Sequence, residues 1–366
     1  MNKVSLLLIP ALLTAARPGA AQGTVYMLAH MTHAPVTFGE SVRKPSPAGV
    51  ERVYIDRNGD IYPRSINIDA GRLRRAGDLE TYYSQRGAQA EFDALKFGYG
   101  VTHREFRRAW SAVQDALADQ VARSVDAPGP LVVLVHGFNS VAAGPGFAGL
   151  EARARDADSS VRFLEVYWDG HAGVLTGTAA AWARSRQNAP RVGETLYGIL
   201  SRLGKRAPIR IVTHSLGGMV AVHAVWSGPY AGRGLPADLR VGMIVPAIAG
   251  KDFPARVQPV PAPSQRMVVV GQNEHDYAIS KGGLGARYFG STTLGRTRED
   301  FCTIASRTFQ QGTRYTVHRL DFSGTPKVFM SLESHDVVHY ARLDAARRLF
   351  YLLLRDNGSA AGTSCP

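Results

Sequence analysis

Residues 209–218, IRIVTHSLGG, carry the densest information in the chain: a β-branched run gives way to a serine and then to two glycines. A buried parallel strand that ends this way turns sharply into a helix, lifts the serine hydroxyl above the sheet and leaves the next backbone N–H free to meet an oxyanion. That shape, a nucleophile elbow, makes Ser215 the candidate nucleophile and Leu216 N–H an oxyanion donor. The usual pattern is G-x-S-x-G, and Thr213 stands here in place of the first glycine. Positions two before and two after the serine are expected to crowd each other, so Thr213 should fit against Gly217. A serine between a strand and a helix is also a common N-cap, and the elbow therefore needs partners elsewhere in the chain.

Outward from the elbow, short β-branched runs recur at 131–135 (LVVLV), 161–167 (VRFLEVY), 239–245, 267–271 (MVVVG) and 315–322 (YTVHRLDF). Helical patterns lie between and after them at 146–157, 192–203, 217–226 and 343–354. This alternation predicts an α/β fold with a mostly parallel central sheet and helices on both faces, over residues 126–355. Residues 22–125 read as an N-terminal extension. It holds a hairpin at 52–63 (RVYIDRNGDIYP), centred on an Asn-Gly turn, and helices near 78–97 and 104–125. Asp56, Asn58 and Asp60 mimic the start of a calcium loop, but Asn67 stands where a bidentate glutamate belongs, so the hairpin reading prevails. Residues 356–366 form a C-terminal tail.

In an open parallel sheet, ligands bind at the carboxyl ends of the strands. Polar residues gather there: His136-Gly137-Phe138-Asn139 after 131–135, His214-Ser215 after the elbow strand, and Gln272 to Asp276 after 267–271, with Ser334-His335-Asp336 and His339 following later. In this order of parts the chain resembles the α/β-hydrolases. An HG-x oxyanion loop comes first, then a serine elbow, an acid after a later strand, and a histidine near the C-terminus. Within that superfamily it is similar to a little-characterised bacterial group of lipase-like hydrolases with an HGYN-type loop, a W-x-G turn, an HSMG elbow and a D-x-A-x-x-S acid segment. The matching parts are HGFN, Trp168-Asp169-Gly170, HSLGG and Asp276 to Ser280.

The resemblance implies an α/β-hydrolase fold and a Ser-His-Asp triad. His335, which opens the loop into the terminal helix, takes the place of the base, with His339 as the alternative. Asp276 takes the place of the acid, with Asp252 as the alternative. Asp336 is too close in sequence to His335 to reach its Nδ1, and His214 is expected to serve packing. The oxyanion donors are the backbone N–H groups of Leu216 and Phe138. Gly137 is expected to be glycine because a Cβ would obstruct the substrate. The implied activity is that of an esterase or lipase, cleaving a small-molecule or lipid carboxylic ester through an acyl-enzyme, with acyl transfer by the same triad as an alternative. A non-catalytic binding protein on the same fold is the reading from a different class. No metal-ligand spacing and no phosphate-binding glycine loop is present, so neither a metal nor a cofactor is implied. Substrate-shaping insertions are expected at 170–189, 228–235 and 282–297.

Composition adds the setting. Of 366 residues, 45% are hydrophobic, enough for a large core. Residues 1–21 run from Lys3 through VSLLLIPALLTAA to small residues, the grammar of a cleaved signal peptide, and so predict a secreted or periplasmic protein. Export makes Cys302 and Cys365 a candidate disulfide, against two free thiols. The net charge of +13 favours anionic surfaces such as a membrane or envelope polymer. No signature of nucleic-acid recognition accompanies it.

Overall fold

The computed structural model describes residues 48–55, 59–62, 103–138, 143–168, 170, 178–203, 208–227, 234–254, 256–260, 266–276, 278–279, 293–309, 312–324, 335–355 and 365. The signal segment expected at 1–21, the helix expected at 78–97 and most of the insertions expected at 228–235 and 282–297 lie outside them. The chain divides into two compact units, one of residues 1–37 and 63–120, the other of residues 38–62 and 121–366. The second unit carries the sheet.

The β-branched runs become strands: β1 (Val50–Ile55), β2 (Ile61–Tyr62), β3 (Leu131–Val135), β4 (Arg162–Trp168), β5 (Ile209–His214), β6 (Leu239–Ile244), β7 (Arg266–Gln272) and β8 (Tyr315–Asp321). The helices are α1 (His103–Val125), α2 (Ala143–Ala157), α3 (Thr178–Leu200), α4 (Gly217–Val225), α5 (Arg298–Thr308), α6 (Val337–Arg342) and α7 (Asp344–Leu354). The sheet order is β2-β1-β4-β3-β5-β6-β7-β8, with seven strands parallel and β2 antiparallel at the edge. Every residue of β3, β5 and β7 is buried, as a sheet covered on both faces requires. Helix α3 packs against α4, while α2 packs against α6 and α7. Right-handed crossovers place α2 opposite α3 and α4, because the chain steps from β3 outward to β4 and then back across β3 to β5.

Two expectations change. The hairpin at 52–63 is not part of a separate extension: β1 lies parallel to β4, with Val53 opposite Val166 and Ile55 opposite Trp168. Burial explains this, since Val53, Tyr54 and Ile55 are almost wholly enclosed and would waste that apolar surface on a free hairpin. The insertion expected at 170–189 is also shorter than read, because 178–189 forms the first half of α3. Pro190, which lacks a backbone N–H, sits inside this helix. One long buried face, Trp182, Ser185, Ala189, Val192, Leu196 and Ile199, carries the helix through the proline.

Cys302 in α5 and Cys365 in the tail form a disulfide with Cα atoms 5.4 Å apart. No helix among the described residues is long and apolar enough to cross a membrane.

A charged cluster is buried between β1, β4 and α2. Arg52 Nε donates to Glu165 Oε2 at 2.5 Å, and the Tyr167 hydroxyl donates to the same oxygen at 2.9 Å. Glu151 of α2 lies against Glu165, with Arg155 3.4 Å from its Oε2. Burial, and then the neighbouring Glu165, push the Glu151 carboxyl up to about 7, from 4.5 in a free chain. The native state therefore holds a proton that the unfolded state has released between those values. The resulting stabilisation is full below pH 4.5 and is lost as pH rises through 7. Glu151→Gln is expected to remove this dependence. Urea titrations should show the variant gaining on the wild type by up to about 3 kcal/mol between pH 4.5 and 8.

Candidate active site

β3 and β5 lie side by side where the sheet order reverses, the switch point at whose carboxyl ends open α/β sheets bind ligands. Ser215 stands there. Its φ is +53°, a left-handed conformation uncommon for a residue with a Cβ, held by hydrogen bonds on both sides. Ser215 N–H donates to Ile244 O, and Ser215 O accepts from the N–H groups of Gly218 and Ala247, each at 3.1 Å. A simple N-cap does not need this turn. The structure instead has Leu216 as the N-cap of α4, with no side-chain capping bond.

The glycines have reasons other than those expected. A Cβ on Gly217 would lie 2.4 Å from His136 O and 2.7 Å from Val135 O, so the start of α4 abuts the end of β3. Crowding with Thr213 is not what excludes a side chain at 217. Thr213 is an ordinary ladder residue, opposite Val135 and Met243, and its β-branched side chain fits there, buried. At Gly137 a Cβ would meet Ser215 Cβ at 2.7 Å and His214 O at 3.0 Å. The protein itself, before any substrate, demands glycine at that position.

Three side chains converge from distant segments. Ser215 Oγ lies 2.6 Å from His335 Nε2. On the other side of the ring, His335 Nδ1 is hydrogen-bonded to Asp276 Oδ2. Asp276 follows β7, is fully buried, and also accepts Ala278 N–H on Oδ1 at 2.8 Å and the Tyr340 hydroxyl on Oδ2 at 2.5 Å. Asn273 Nδ2 donates to that Tyr340 oxygen at 3.0 Å. Burial alone would raise the Asp276 carboxyl. The electrostatic interaction with His335 and the donors from His335, Tyr340 and Ala278 outweigh it and hold the group below its ordinary value, ionised at neutral pH. Tyr340 shifts the opposite way: burial, and then Asp276, push its hydroxyl well up, so it stays a donor.

The alternatives are occupied elsewhere. Asp252 pairs with Arg186 of α3. Asp336 caps α6 by accepting Val338 N–H at 3.0 Å, and His339 lies within that helix. His214 packs its ring 4.8 Å from that of His335 and 5.7 Å from that of Tyr340, and burial, then His335, hold it neutral. Leu216 follows Ser215 directly, and Phe138 follows Gly137 in the loop that touches Ser215. The Phe138 ring meets Trp182 edge-on at 5.0 Å.

Asn273 and Tyr340 escaped the sequence reading. Asn273 sits in the polar run after β7, but nothing singled it out from its neighbours. Tyr340 reads as one more apolar residue on a helix face, and only its fifth-residue spacing from His335 gave any hint.

No protein-family model matches this chain, and a comparison with curated proteins likewise finds no match.

Proposed function

We propose that the chain is a serine hydrolase of α/β-hydrolase type that cleaves carboxylic esters through an acyl-enzyme. The observation that carries this reading is the continuous chain Ser215 Oγ, His335 Nε2, His335 Nδ1 and Asp276, with the serine on a strained turn at the switch point of the sheet. His335 Nε2 takes the hydroxyl proton as Oγ bonds to the ester carbonyl carbon. The carbonyl electron pair moves onto oxygen, where the N–H groups of Leu216 and Phe138 receive it. On collapse, the C–O bond to the leaving alkoxide breaks and the imidazolium returns its proton to that oxygen. Water then repeats the sequence on the acyl-serine. Asp276 remains ionised throughout, fixing the Nδ1–H tautomer and stabilising the imidazolium.

The Phe138–Trp182 pair sets apolar surface beside the oxyanion loop, which suits the hydrocarbon part of a small-molecule or lipid ester. The disulfide and the leader-like apolar run within residues 1–21 support action outside the cytoplasm, secreted or periplasmic. The basic balance of the chain supports contact there with an anionic membrane or envelope surface.

A fluorophosphonate probe tests the reading directly. Intact mass spectrometry should show one adduct on the wild type, mapped to Ser215, and none on Ser215→Ala. Unmodified wild-type protein under the same conditions would leave a non-catalytic binding protein as the better account.

A further inference from the structure

Strand β4 extends past the end of β3: the last pair is Val135 with Val166, and Trp168 lies two residues further on. Both N–H groups of Trp168 turn to His136 instead of to a strand. The backbone N–H donates to His136 Nε2 at 3.0 Å, and the indole Nε1–H donates to the His136 carbonyl at 2.8 Å. The two rings stack at 5.7 Å with 19° between their planes, and Phe147 and Tyr167 close the remaining sides. His136 is thereby 5% exposed and held in one orientation.

This hydrogen bonding also fixes the tautomer. A nitrogen that accepts from Trp168 N–H carries no proton, so the proton resides on Nδ1. Nδ1 lies 2.7 Å from the carbonyl oxygen of Gly137, to which it donates. A trans peptide is planar, and its C=O and N–H point in opposite directions. Drawing the Gly137 carbonyl toward the imidazole therefore turns the Phe138 N–H away from it. Gly137 itself is in contact with Ser215.

We propose that His136 is a positioning residue: its Nδ1–H sets the Gly137–Phe138 peptide so that Phe138 N–H faces the oxyanion formed at Ser215. This role rests on the serine-hydrolase reading. His136 touches neither substrate nor the reacting atoms, and it transfers no proton. Trp168 completes the device by holding both the ring and the His136 carbonyl. The end of β4 thus aims a donor that belongs to the loop after β3.

The test uses the full chain with His136→Leu and His136→Asn, reading kcat and KM on a p-nitrophenyl ester, inhibition by an alkyl boronic acid, and Tm. Loss of a whole oxyanion donor costs about 10²- to 10³-fold in kcat. Mis-aiming one should lower kcat in His136→Leu by about 30- to 300-fold, with KM within about 3-fold and boronate affinity falling in step with kcat. Asparagine carries an N–H near the position of Nδ1–H and should recover about 10-fold of that loss. Wild-type kcat in His136→Leu, or equal kcat in the two variants, would overturn the role. Should neither variant fold, ¹⁵N NMR of the wild type decides: protonated Nδ1 supports the proposal and protonated Nε2 overturns it. A missing Ser215 adduct in the wild type removes the hydrolase reading and this role together. An adduct with an unaffected His136→Leu variant removes this role alone.

Discussion

Ser215→Ala and His335→Ala are each expected to lower kcat by about 10⁴- to 10⁶-fold, and the double variant by no more than the worse single one. The non-additivity follows from the geometry. At 2.6 Å the serine proton has one destination, His335 Nε2, and without that acceptor the hydroxyl attacks no better than bulk alcohol. Without the hydroxyl, the imidazole has nothing to deprotonate but water. Residual catalysis then comes from the oxyanion donors and from binding, which all three variants keep. Steady-state hydrolysis of an activated ester, with active-site titration to correct for contaminants, measures it. A double variant slower than either single one by the product of their losses would mean that the two residues act on separate steps.

Asp276→Asn is expected to lower kcat by about 10³- to 10⁴-fold and stability at neutral pH by about 2 kcal/mol. The carboxylate is surrounded by donors: His335 Nδ1–H and the Tyr340 hydroxyl on Oδ2, and Ala278 N–H on Oδ1. An amide has one acceptor oxygen and must aim its NH₂ at one side. Aimed at Ala278, it sets two donors against each other at a half-buried backbone N–H. Aimed at His335, it favours the tautomer with the proton on Nε2, which faces Ser215 with the wrong polarity. The carboxylate is held below its ordinary value, so the wild-type site keeps its charge well into the acid range, and the loss in the variant should persist across neutral pH. Urea denaturation and pH–rate profiles of the two proteins check both parts. A loss below 10-fold would show that Asp276 does not orient the base.

Strands were legible because a parallel sheet buried on both faces writes itself as uninterrupted β-branched runs. LVVLV, IRIVTH and MVVVG appear within a residue or two of their observed bounds. Ser215, His335 and Asp276 were legible because each follows a strand or precedes a helix at a polar break. Contacts closed only by three-dimensional packing were not. Asn273 and Tyr340 meet across 67 residues, and no local pattern marks either. The glycines at 137 and 217 were recognised, but the atoms that exclude a side chain there belong to Ser215 and to the end of β3, and neither neighbour can be named before the fold is known. The helix read at 192–203 begins earlier, at Thr178, because its buried face continues through Pro190. Strand β1 was read as part of a hairpin, yet its place in the sheet depends on β4, more than a hundred residues away.

The bond between Cys302 and Cys365 encloses 63 residues of sequence separation, and within that ring lie β8, α6, α7 and His335 itself. His335, the proposed base, is therefore carried on a covalently closed loop, while its partners Ser215 and Asp276 belong to the open chain before it. A terminal segment free at one end can wander from the sheet through a volume set by its full contour length. A closed loop searches far less space, because closure removes most of those arrangements from the ensemble. Return of the imidazole to the serine after any local opening is thus a short intramolecular search within a tethered ring, and the bond between the two sulfur atoms shortens it.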